Sequence, residues 1–234
     1  MSQVAIIPAR GGSKRIPHKN VKEFGGKPMI AWSIETAKAS GCFDQIIVST
    51  DDREIARVAR EWGATVPFMR PAELSDDFTG TLPVIRHAVE WLNQNGISVV
   101  YACCLYATAP FVTVKDLQRG LQLIKSTGSS YAFSVTSYAF PIQRAIRIVK
   151  NGRVAMFNPE HFQTRSQDLE EAWHDAGQFY WGTEEAWREE RPIFGEDSVP
   201  VTLPRHRVQD IDTPEDWATA EWLFRAMRSE GGLQ

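Results

Sequence analysis

The chain has 234 residues, of which 43 % are hydrophobic, and a formal net charge of −3. This length suits one large α/β domain, and the slightly acidic balance argues against a protein that binds nucleic acid through bulk electrostatics. We recognise no signal peptide and no run of the roughly 18 to 20 apolar residues that a membrane span needs. We therefore expect a cytoplasmic protein that binds neither membrane nor nucleic acid.

The first two thirds of the chain alternate between predicted strands and predicted helices. Apolar runs predict strands at 4–7, 45–50, 64–68, 99–106 and 131–136, and helical spacing predicts helices at 28–40, 53–62, 82–95 and 114–126. Gly41, Gly63 and Gly96 follow three of these helices, as glycines that end helices do. This alternation predicts a three-layer, Rossmann-like α/β fold with a mostly parallel sheet.

The pattern changes near Ser137. Residues 144–157 form two alternating runs around Asn151-Gly152, which is a strong hairpin signal. We therefore predict a small antiparallel insert at 137–185 within a core of 1–136 and 186–234. The core is expected to close with a strand at 198–204 and a helix from Pro214 to about Arg228.

The three cysteines are Cys42, Cys103 and Cys104. Two are adjacent within an apolar run, and the spacing C-x-x-C does not occur, so the pattern fits neither a disulfide framework nor a cysteine metal site. We predict buried free thiols.

A basic, glycine-containing loop, ARGGSKRIPHKN, follows the first predicted strand. Ligands of open α/β sheets bind beyond the carboxyl ends of the strands. Gly11 and Gly12 allow the backbone to approach a ligand closely, while Arg10, Lys14 and Lys19 supply positive charge. The loop has neither the dinucleotide nor the Walker A spacing, so it predicts another kind of polyphosphate site. The alternative is a solvated basic turn.

A second polar segment, QDIDTPEDW, occupies residues 209–217. In an extended chain Asp210 and Asp212 point to the same side and can bind one hard cation, for which we predict Mg²⁺. Thr213-Pro214 is typical of a helix start, so helix capping is the structural alternative for one aspartate. Together with the basic loop, the two carboxylates predict magnesium-assisted nucleotidyl transfer.

Two further polar segments follow predicted strands. For Asp51 and Asp52 we favour helix capping. Arg70 begins the loop RPAELSDDFTGT and is expected at the ligand edge of the sheet.

Four segments in this order resemble the cytidylyltransferases that activate sialic acids and related nonulosonic acids: IIPARGGSKRIPHKN, CFDQIIVSTDD, RPAELSDD and DIDTPEDW. The resemblance covers nearly the whole chain. Within the family, KPMIAWSIE, VPFMRPAEL, PVIRHAVEWL and WHDAGQFYWG are most similar to members that use pseudaminic acid. This implies transfer of CMP from CTP to pseudaminic acid with release of diphosphate. N-acetylneuraminic, legionaminic and keto-deoxyoctulosonic acids stay open as substrates, and so does a non-catalytic nucleotide-binding regulator.

The resemblance also implies residue roles. The catalytic set is Arg10, Lys14, Asp210 and Asp212, and the two aspartates are the metal ligands. The CTP-binding set is Ala9, Arg10, Gly11, Gly12, Ser13, Lys14, Lys19, Asn20, Arg70, Thr79, Gly80 and Thr81. The candidate sugar-binding set is Tyr106, Thr108, Arg165, His174, Asp175 and Gln178.

Two departures from the family pattern concern the sugar. Tyr106-Ala107-Thr108-Ala109-Pro110 stands where sialic acid enzymes typically have Gln-Pro-Thr-Ser-Pro, and Ala176-Gly177-Gln178 replaces Asn-Gly-Ala. These changes argue against sialic acid, because buried polar groups left unpaired discriminate strongly.

The resemblance finally implies that the 137–185 insert is a dimerisation arm, so that the protein is a homodimer whose partner completes each sugar site. The aromatic side chains near its end are expected to pack within this arm or the dimer interface. They are Trp173, Phe179, Tyr180 and Trp181.

Overall fold

The computed structural model describes residues 1–229, so the last five residues of the predicted core range lie outside the described residues. The helices are α1 Met29–Ser40, α2 Arg53–Glu61, α3 Thr81–Gln94, α4 Val114–Thr127, α5 Glu184–Arg188 and α6 Pro214–Ser229. The strands are β1 Ser2–Pro8, β2 Glu23–Phe24, β3 Lys27–Pro28, β4 Gln45–Ser49, β5 Val99–Leu105, β6 Tyr131–Ser137, β7 Ile146–Ile148, β8 Val154–Met156, β9 Trp173–Thr183 and β10 Ser198–Thr202.

Six strands form the central sheet in the order β10-β6-β9-β5-β1-β4. The pairs β10–β6, β5–β1 and β1–β4 are parallel, whereas β9 runs antiparallel to both of its neighbours. The predicted α/β class with a mostly parallel sheet is therefore confirmed.

Alternate side chains of β1 show why the fold has three layers. Ala5 and Ile7 pack in one buried cluster with side chains of α1, α2 and α4. Val4 and Ile6 pack in a second cluster with side chains of α3 and α5. Because successive residues of a strand point to opposite faces, β1 is buried on both sides. Its carboxyl end is thereby held in the middle of the sheet.

A third apolar cluster lies under the polar segments at that end. Ile16 from the basic loop and Ile211, between the two aspartates, pack there with Phe24 and α6 side chains such as Trp217 and Phe224. Phe24 contacts Trp217 edge-on, with 5.4 Å between ring centroids. Burying each isoleucine contributes about 1.5–3 kcal/mol. This cluster fixes the basic loop and the aspartate segment beside each other.

The strand predicted at 64–68 is wrong. Only single parallel bridges join Ile47 to Thr65 and Thr50 to Met69. Pro67 has no backbone N–H to donate, so a regular ladder cannot continue along this edge.

The hairpin signal at Asn151-Gly152 corresponds to the antiparallel pair β7–β8, which is separate from the central sheet. We call residues 138–172 the hairpin segment. The rest of the predicted insert differs from the prediction, because β9 at 173–183 is a strand of the central sheet.

The expected place of the aromatic residues is also corrected. Phe179, Tyr180 and Trp181 lie on β9 and are buried in the core on its two faces, and only Trp173 is exposed. The cysteines, in contrast, are buried free thiols as predicted. Within residues 1–229, no helix has both the length and the apolar character needed to cross a membrane.

Candidate active site

A cavity of about 540 Å³ opens beyond the carboxyl ends of β1 and β5. Pro8 ends β1 and Tyr106 directly follows β5, so the cavity lies at the edge where ligands of parallel sheets bind. Its predicted site residues are Arg10, Ser13, Lys14, Lys19, Asn20, Arg70, Thr79, Gly80, Thr81, Tyr106, Thr108 and Asp212. The remaining lining residues are Pro8, Arg15, Asp77, Val84 and Ala107.

The first ion-pair group joins the basic loop to the loop before α3. The Asp77 carboxylate accepts a hydrogen bond from Arg10 Nη1 at 2.5 Å and one from Lys14 Nζ. Asp77 was not predicted as a site residue, although it lies within the segment that carries the resemblance. Its pairing with residues more than 60 positions earlier depends on tertiary structure.

The second group joins the same loop to the aspartate segment. Asp212 accepts hydrogen bonds from Arg15 Nη2 at 2.6 Å and from Lys19 Nζ at 3.1 Å. Lys19 also donates to the Ile211 carbonyl at 2.7 Å. Arg15 was not predicted as a site residue, because the sequence alone does not distinguish its role from that of the other cations in the loop. Each of these four loop cations therefore has an acidic partner within the chain.

Backbone contacts hold the basic loop in place. Asn20 Nδ2 donates to the Arg10 carbonyl at 3.0 Å, and Gly11 N–H donates to Asp51 Oδ1 at 2.9 Å. A Cβ at Gly11 would lie 2.7 Å from Asp52 Oδ2, so only glycine fits without a shift. Asn20 therefore supports the loop from beneath, and Gly11 allows its close approach to the start of α2.

The capping prediction is right for one of two aspartates. Asp52 caps α2 and accepts from Glu54 N–H at 2.7 Å and Ile55 N–H at 2.9 Å. Asp51 instead accepts from the Gly11 N–H, because the basic loop passes over this end of β4.

Arg70 lies in the wall of the cavity with only 7 % of its surface exposed. Its Nε donates to Ser49 Oγ at 3.1 Å, and its Nη2 donates to the Ser49 carbonyl. Burial lowers the pKa of Arg70 to about 10, while Asp51 opposes and Arg10 adds to this shift. The guanidinium stays charged at neutral pH and is fixed by the end of β4.

Tyr106 and Thr81 form a polar pair in the cavity wall, with 2.9 Å between the two hydroxyl oxygens. Burial raises the pKa of Tyr106 to about 12, so its hydroxyl stays protonated at neutral pH. This wall therefore offers neutral hydroxyl groups.

The two predicted metal ligands differ in position. Asp212 lines the cavity, whereas Asp210 has an exposed side chain and does not line it. Partial loss of hydration raises the pKa of Asp210, and the negative charge of Asp212 raises it further. Within residues 1–229, no three His, Cys, Asp or Glu side chains form a ready-made metal cluster. The candidate metal site thus consists of the two aspartates alone.

Four of the predicted sugar residues lie away from the cavity lining. Arg165 pairs with Asp168 at 2.7 Å in the hairpin segment. His174 and Asp175 lie on β9, where Asp175 Oδ2 accepts from the Tyr180 hydroxyl at 2.5 Å. Gln178 is buried, and its Nε2 donates to the Arg207 carbonyl at 2.5 Å. The structure therefore brings only Tyr106 and Thr108 of this set to the cavity.

Three predicted CTP residues are also outside the lining: Ala9, Gly11 and Gly12. Ala9 is buried and its N–H donates to the Ser49 carbonyl at 2.9 Å. These residues form the loop backbone behind the charged side chains.

Sequence comparisons associate the chain with one family. A family profile described as cytidylyltransferase matches residues 4–203. The pseudaminic acid cytidylyltransferase of Campylobacter jejuni subsp. jejuni serotype O:23/36 (strain 81-176) is 46 % identical over 225 residues, which are 96 % of this chain and 97 % of the relative. The CMP-N,N'-diacetyllegionaminic acid synthase of Legionella pneumophila subsp. pneumophila is 33 % identical over 231 residues, with coverage of 96 % and 97 %.

The fold comparison agrees in architecture. The solved structure of CMP:2-keto-3-deoxy-manno-octonic acid synthetase complexed with CTP matches with a TM-score of 0.69 and 16 % identity, covering 97 % of this chain and 99 % of that one. At this identity the likeness concerns the fold alone.

Proposed function

Because the chain belongs to the cytidylyltransferase family, we propose that it transfers CMP from CTP to pseudaminic acid and releases diphosphate. The observation that carries the proposal is the cavity at the end of β1, to which the basic loop contributes Arg10, Lys14, Arg15 and Lys19. A triphosphate is strongly anionic, and this cavity concentrates positive charge in a protein with a net charge of −3.

In the proposed reaction, the anomeric hydroxyl of the acid attacks the α-phosphorus of CTP. The new oxygen–phosphorus bond forms as the bond to the bridging β-phosphate oxygen breaks, and the proton of the hydroxyl passes to solvent water. Diphosphate leaves with the electron pair. Arg10 and Lys14 stabilise the charge that develops on the leaving group, and the rate enhancement comes from positioning and electrostatics.

Asp210 and Asp212 are the residues that would hold Mg²⁺. Their carboxylate oxygens suit a hard cation, and a cation beside them would offset the burial and the repulsion from Asp212 that raise the pKa of Asp210. Bound Mg²⁺ supplies positive charge to phosphate oxygens. Asp212 would serve both this ion and the loop cations, since Arg15 and Lys19 already contact its carboxylate.

We assign the nucleoside to the walls around Arg70 and the 79–81 loop. Arg70 is rigid and charged, and Thr81 presents a hydroxyl next to that of Tyr106. We assign Tyr106 and Thr108 to the sugar. The protonated phenol of Tyr106 can donate a hydrogen bond to a sugar substituent or accept one from it. This wall is the proposed source of preference for pseudaminic acid over other nonulosonic acids.

The proposed partner is a second copy of this chain, bound through the hairpin segment at 138–172. Arg165, a candidate ligand for the sugar carboxylate, does not line the cavity of its own chain and lies in the hairpin segment. The same segment exposes large apolar side chains, among them Phe140, Ile148 and Phe162. A second copy would cover this apolar surface and receive Arg165 near its own sugar site.

The test is release of diphosphate from CTP and Mg²⁺ with pseudaminic acid, run beside N-acetylneuraminic, legionaminic and keto-deoxyoctulosonic acids at equal concentration. We expect the fastest release with pseudaminic acid. Preference for another acid would support the transfer reaction and contradict the assignment of pseudaminic acid as the substrate. Binding of CTP without diphosphate release with any acid would instead identify a nucleotide-binding regulator.

A further inference from the structure

Asp77 occupies the two cations that the proposed mechanism assigns to the leaving diphosphate. Its two carboxylate oxygens are divided between them, with Oδ1 bound by Arg10 at 2.5 Å and Oδ2 bound by Lys14. Arg10 also donates to the Asp76 carbonyl at 3.2 Å. The arrangement resembles the way in which a phosphate group would engage the same donors.

The loop that carries Asp77 is folded by its own hydrogen bonds. Asp76 Oδ1 accepts from the backbone N–H of Phe78 at 3.0 Å and from that of Thr79 at 2.7 Å. It also accepts from the Thr79 hydroxyl at 2.7 Å. This turn presents the next carboxylate, that of Asp77, to the basic loop.

The carboxylate is ionised under all ordinary conditions. Hydrogen bonds from Lys14 and Arg10 lower the pKa of Asp77 to about 2. Before a polyphosphate binds, Arg10 and Lys14 are therefore paired with the fully charged carboxylate of Asp77.

We propose that Asp77 is an internal competitor of polyphosphate, a carboxylate that CTP displaces from Arg10 and Lys14 and that returns to them when diphosphate leaves. The inference rests on the proposed function, since it concerns the same cations. One carboxylate brings one negative charge, whereas a triphosphate brings several, so the triphosphate wins the competition. Asp77 thereby weakens the hold of the site on diphosphate and favours release of that product.

Asp77 and Asp212 are predicted to respond oppositely to loss of charge. Both bridge two cations of the same loop, but only Asp212 is assigned to the metal. Removing the charge of Asp77 frees two phosphate-binding groups. The exposed ion pairs of Asp77 are weak, so a gain in affinity of about 3- to 10-fold is expected.

The test compares the wild-type protein with Asp77→Asn by calorimetric titration of CTP and of inorganic tripolyphosphate, a probe that needs no transfer chemistry. Asp77→Asn should bind both 3- to 10-fold more tightly and should be inhibited by correspondingly lower diphosphate concentrations. The control Glu73→Gln removes one charge from the same loop, and its carboxylate is not among the described partners of Arg10 and Lys14. This control should leave both affinities within about twofold, because surface substitutions of this kind perturb little.

Unchanged or weaker binding by Asp77→Asn would overturn the inference, and so would an equal gain in Glu73→Gln, which would indicate a general field effect. Asp77→Ser provides a second variant if Asp77→Asn melts at a lower temperature. Failure of the proposed function would look different. Tighter tripolyphosphate binding by Asp77→Asn, with no diphosphate release by the wild-type protein, would support the role of Asp77 as a competitor and contradict the transferase activity.

Discussion

The basic loop after β1 and the hairpin segment differ in whether their side chains have partners within the chain. In the loop, Asp77 and Asp212 each form ion pairs with two cations. In the hairpin segment, the side chains of Phe140, Ile148 and Val154 are 82 %, 79 % and 65 % exposed. The loop cations have acidic partners within their own chain and keep a positive excess, whereas the hairpin segment leaves apolar surface in water.

This difference indicates different ligands for the two regions. Exposed ion pairs contribute little stability, so an anionic ligand can exchange partners with them at small cost. A large exposed apolar patch is typical of a surface that is covered by a binding partner. The loop therefore suits a small charged substrate, and the hairpin segment is the surface through which we propose that a second copy binds.

The largest expected effect is on turnover and tests the charge balance of the cavity. Asp212→Asn removes the charge that Arg15, Lys19 and the proposed metal share, so turnover should fall roughly 10²- to 10³-fold. The melting temperature should change little, because Asp212 is partly exposed and Ile211 keeps its apolar contacts. Steady-state diphosphate release and a thermal melt measure the two quantities.

Glu215→Gln is the matched control for Asp212→Asn, because it removes an exposed charge three residues further along the chain. It should keep near-normal turnover. Equal losses in the two variants would mean that Asp212 has no specific role in the cavity.

The next largest effect concerns the hairpin segment and assembly. Phe140→Asp combined with Ile148→Asp should weaken the proposed dimer by about 10²-fold or more, because each buried apolar side chain contributes about 1.5–3 kcal/mol. Sedimentation velocity over a range of concentrations measures the change. Trp222→Asp, at an exposed position on α6, is the control and should leave the assembly intact. A wild-type protein that sediments as a monomer at every concentration would contradict the proposed dimer.

A third prediction concerns a buried ion pair that stabilises the fold. Asp116 accepts from Arg207 Nη1 at 2.5 Å and from Nη2 at 3.1 Å. Burial alone would raise the pKa of Asp116, but hydrogen bonds from Arg207 and Thr113 outweigh it and lower the pKa. The pair therefore stabilises the fold fully above the ordinary pKa of aspartate, and this contribution is lost as pH falls through the lowered value.

Asp116→Asn should accordingly reduce the free energy of unfolding by roughly 2 kcal/mol at pH 7. The gap between variant and wild type should narrow below about pH 4, which urea denaturation at several pH values would detect. Asp168→Asn breaks the exposed pair with Arg165 and should change stability by less than about 1 kcal/mol. A gap for Asp116→Asn that stays constant down to pH 2 would contradict the assignment.

The smallest effect tests how closely the loop must be placed. Gly11→Ala forces a shift, because the new Cβ would lie 2.7 Å from Asp52 Oδ2, whereas a Cβ at Gly12 comes no nearer than 3.8 Å to Arg10 Nη1. A small displacement of the charged side chains should raise the KM for CTP about tenfold in Gly11→Ala. Gly12→Ala is the matched control and should be close to wild type. The reverse order of the two variants would show that the loop has another geometry.

The sequence located the cavity well because its main signal is local. Five cationic or potentially cationic side chains follow the first strand within one loop, and the end of a parallel strand is where ligands bind. The pairings of Asp77 and Asp212 could not be derived in this way. They join residues 63 to 197 positions apart, and only the fold decides which acid meets which base.

The missed strand has a different cause. In β9 both faces are buried, so its apolar residues do not alternate with polar ones, and the aromatic side chains of Phe179 and Trp181 were predicted to pack within the arm or the dimer interface. The strand predicted at 64–68 failed for the opposite reason. Its apolar pattern was present, but Pro67 prevents a continuous ladder.

The most direct test of the central claim follows the α-phosphorus of CTP. The protein is incubated with Mg²⁺, pseudaminic acid and CTP labelled at the α-phosphorus. The products are then separated and identified by mass spectrometry. We expect the label in a one-to-one adduct of CMP and pseudaminic acid, with one diphosphate released for each adduct. Label that stays in CTP, or appears in free CMP while the acid is unchanged, would contradict it.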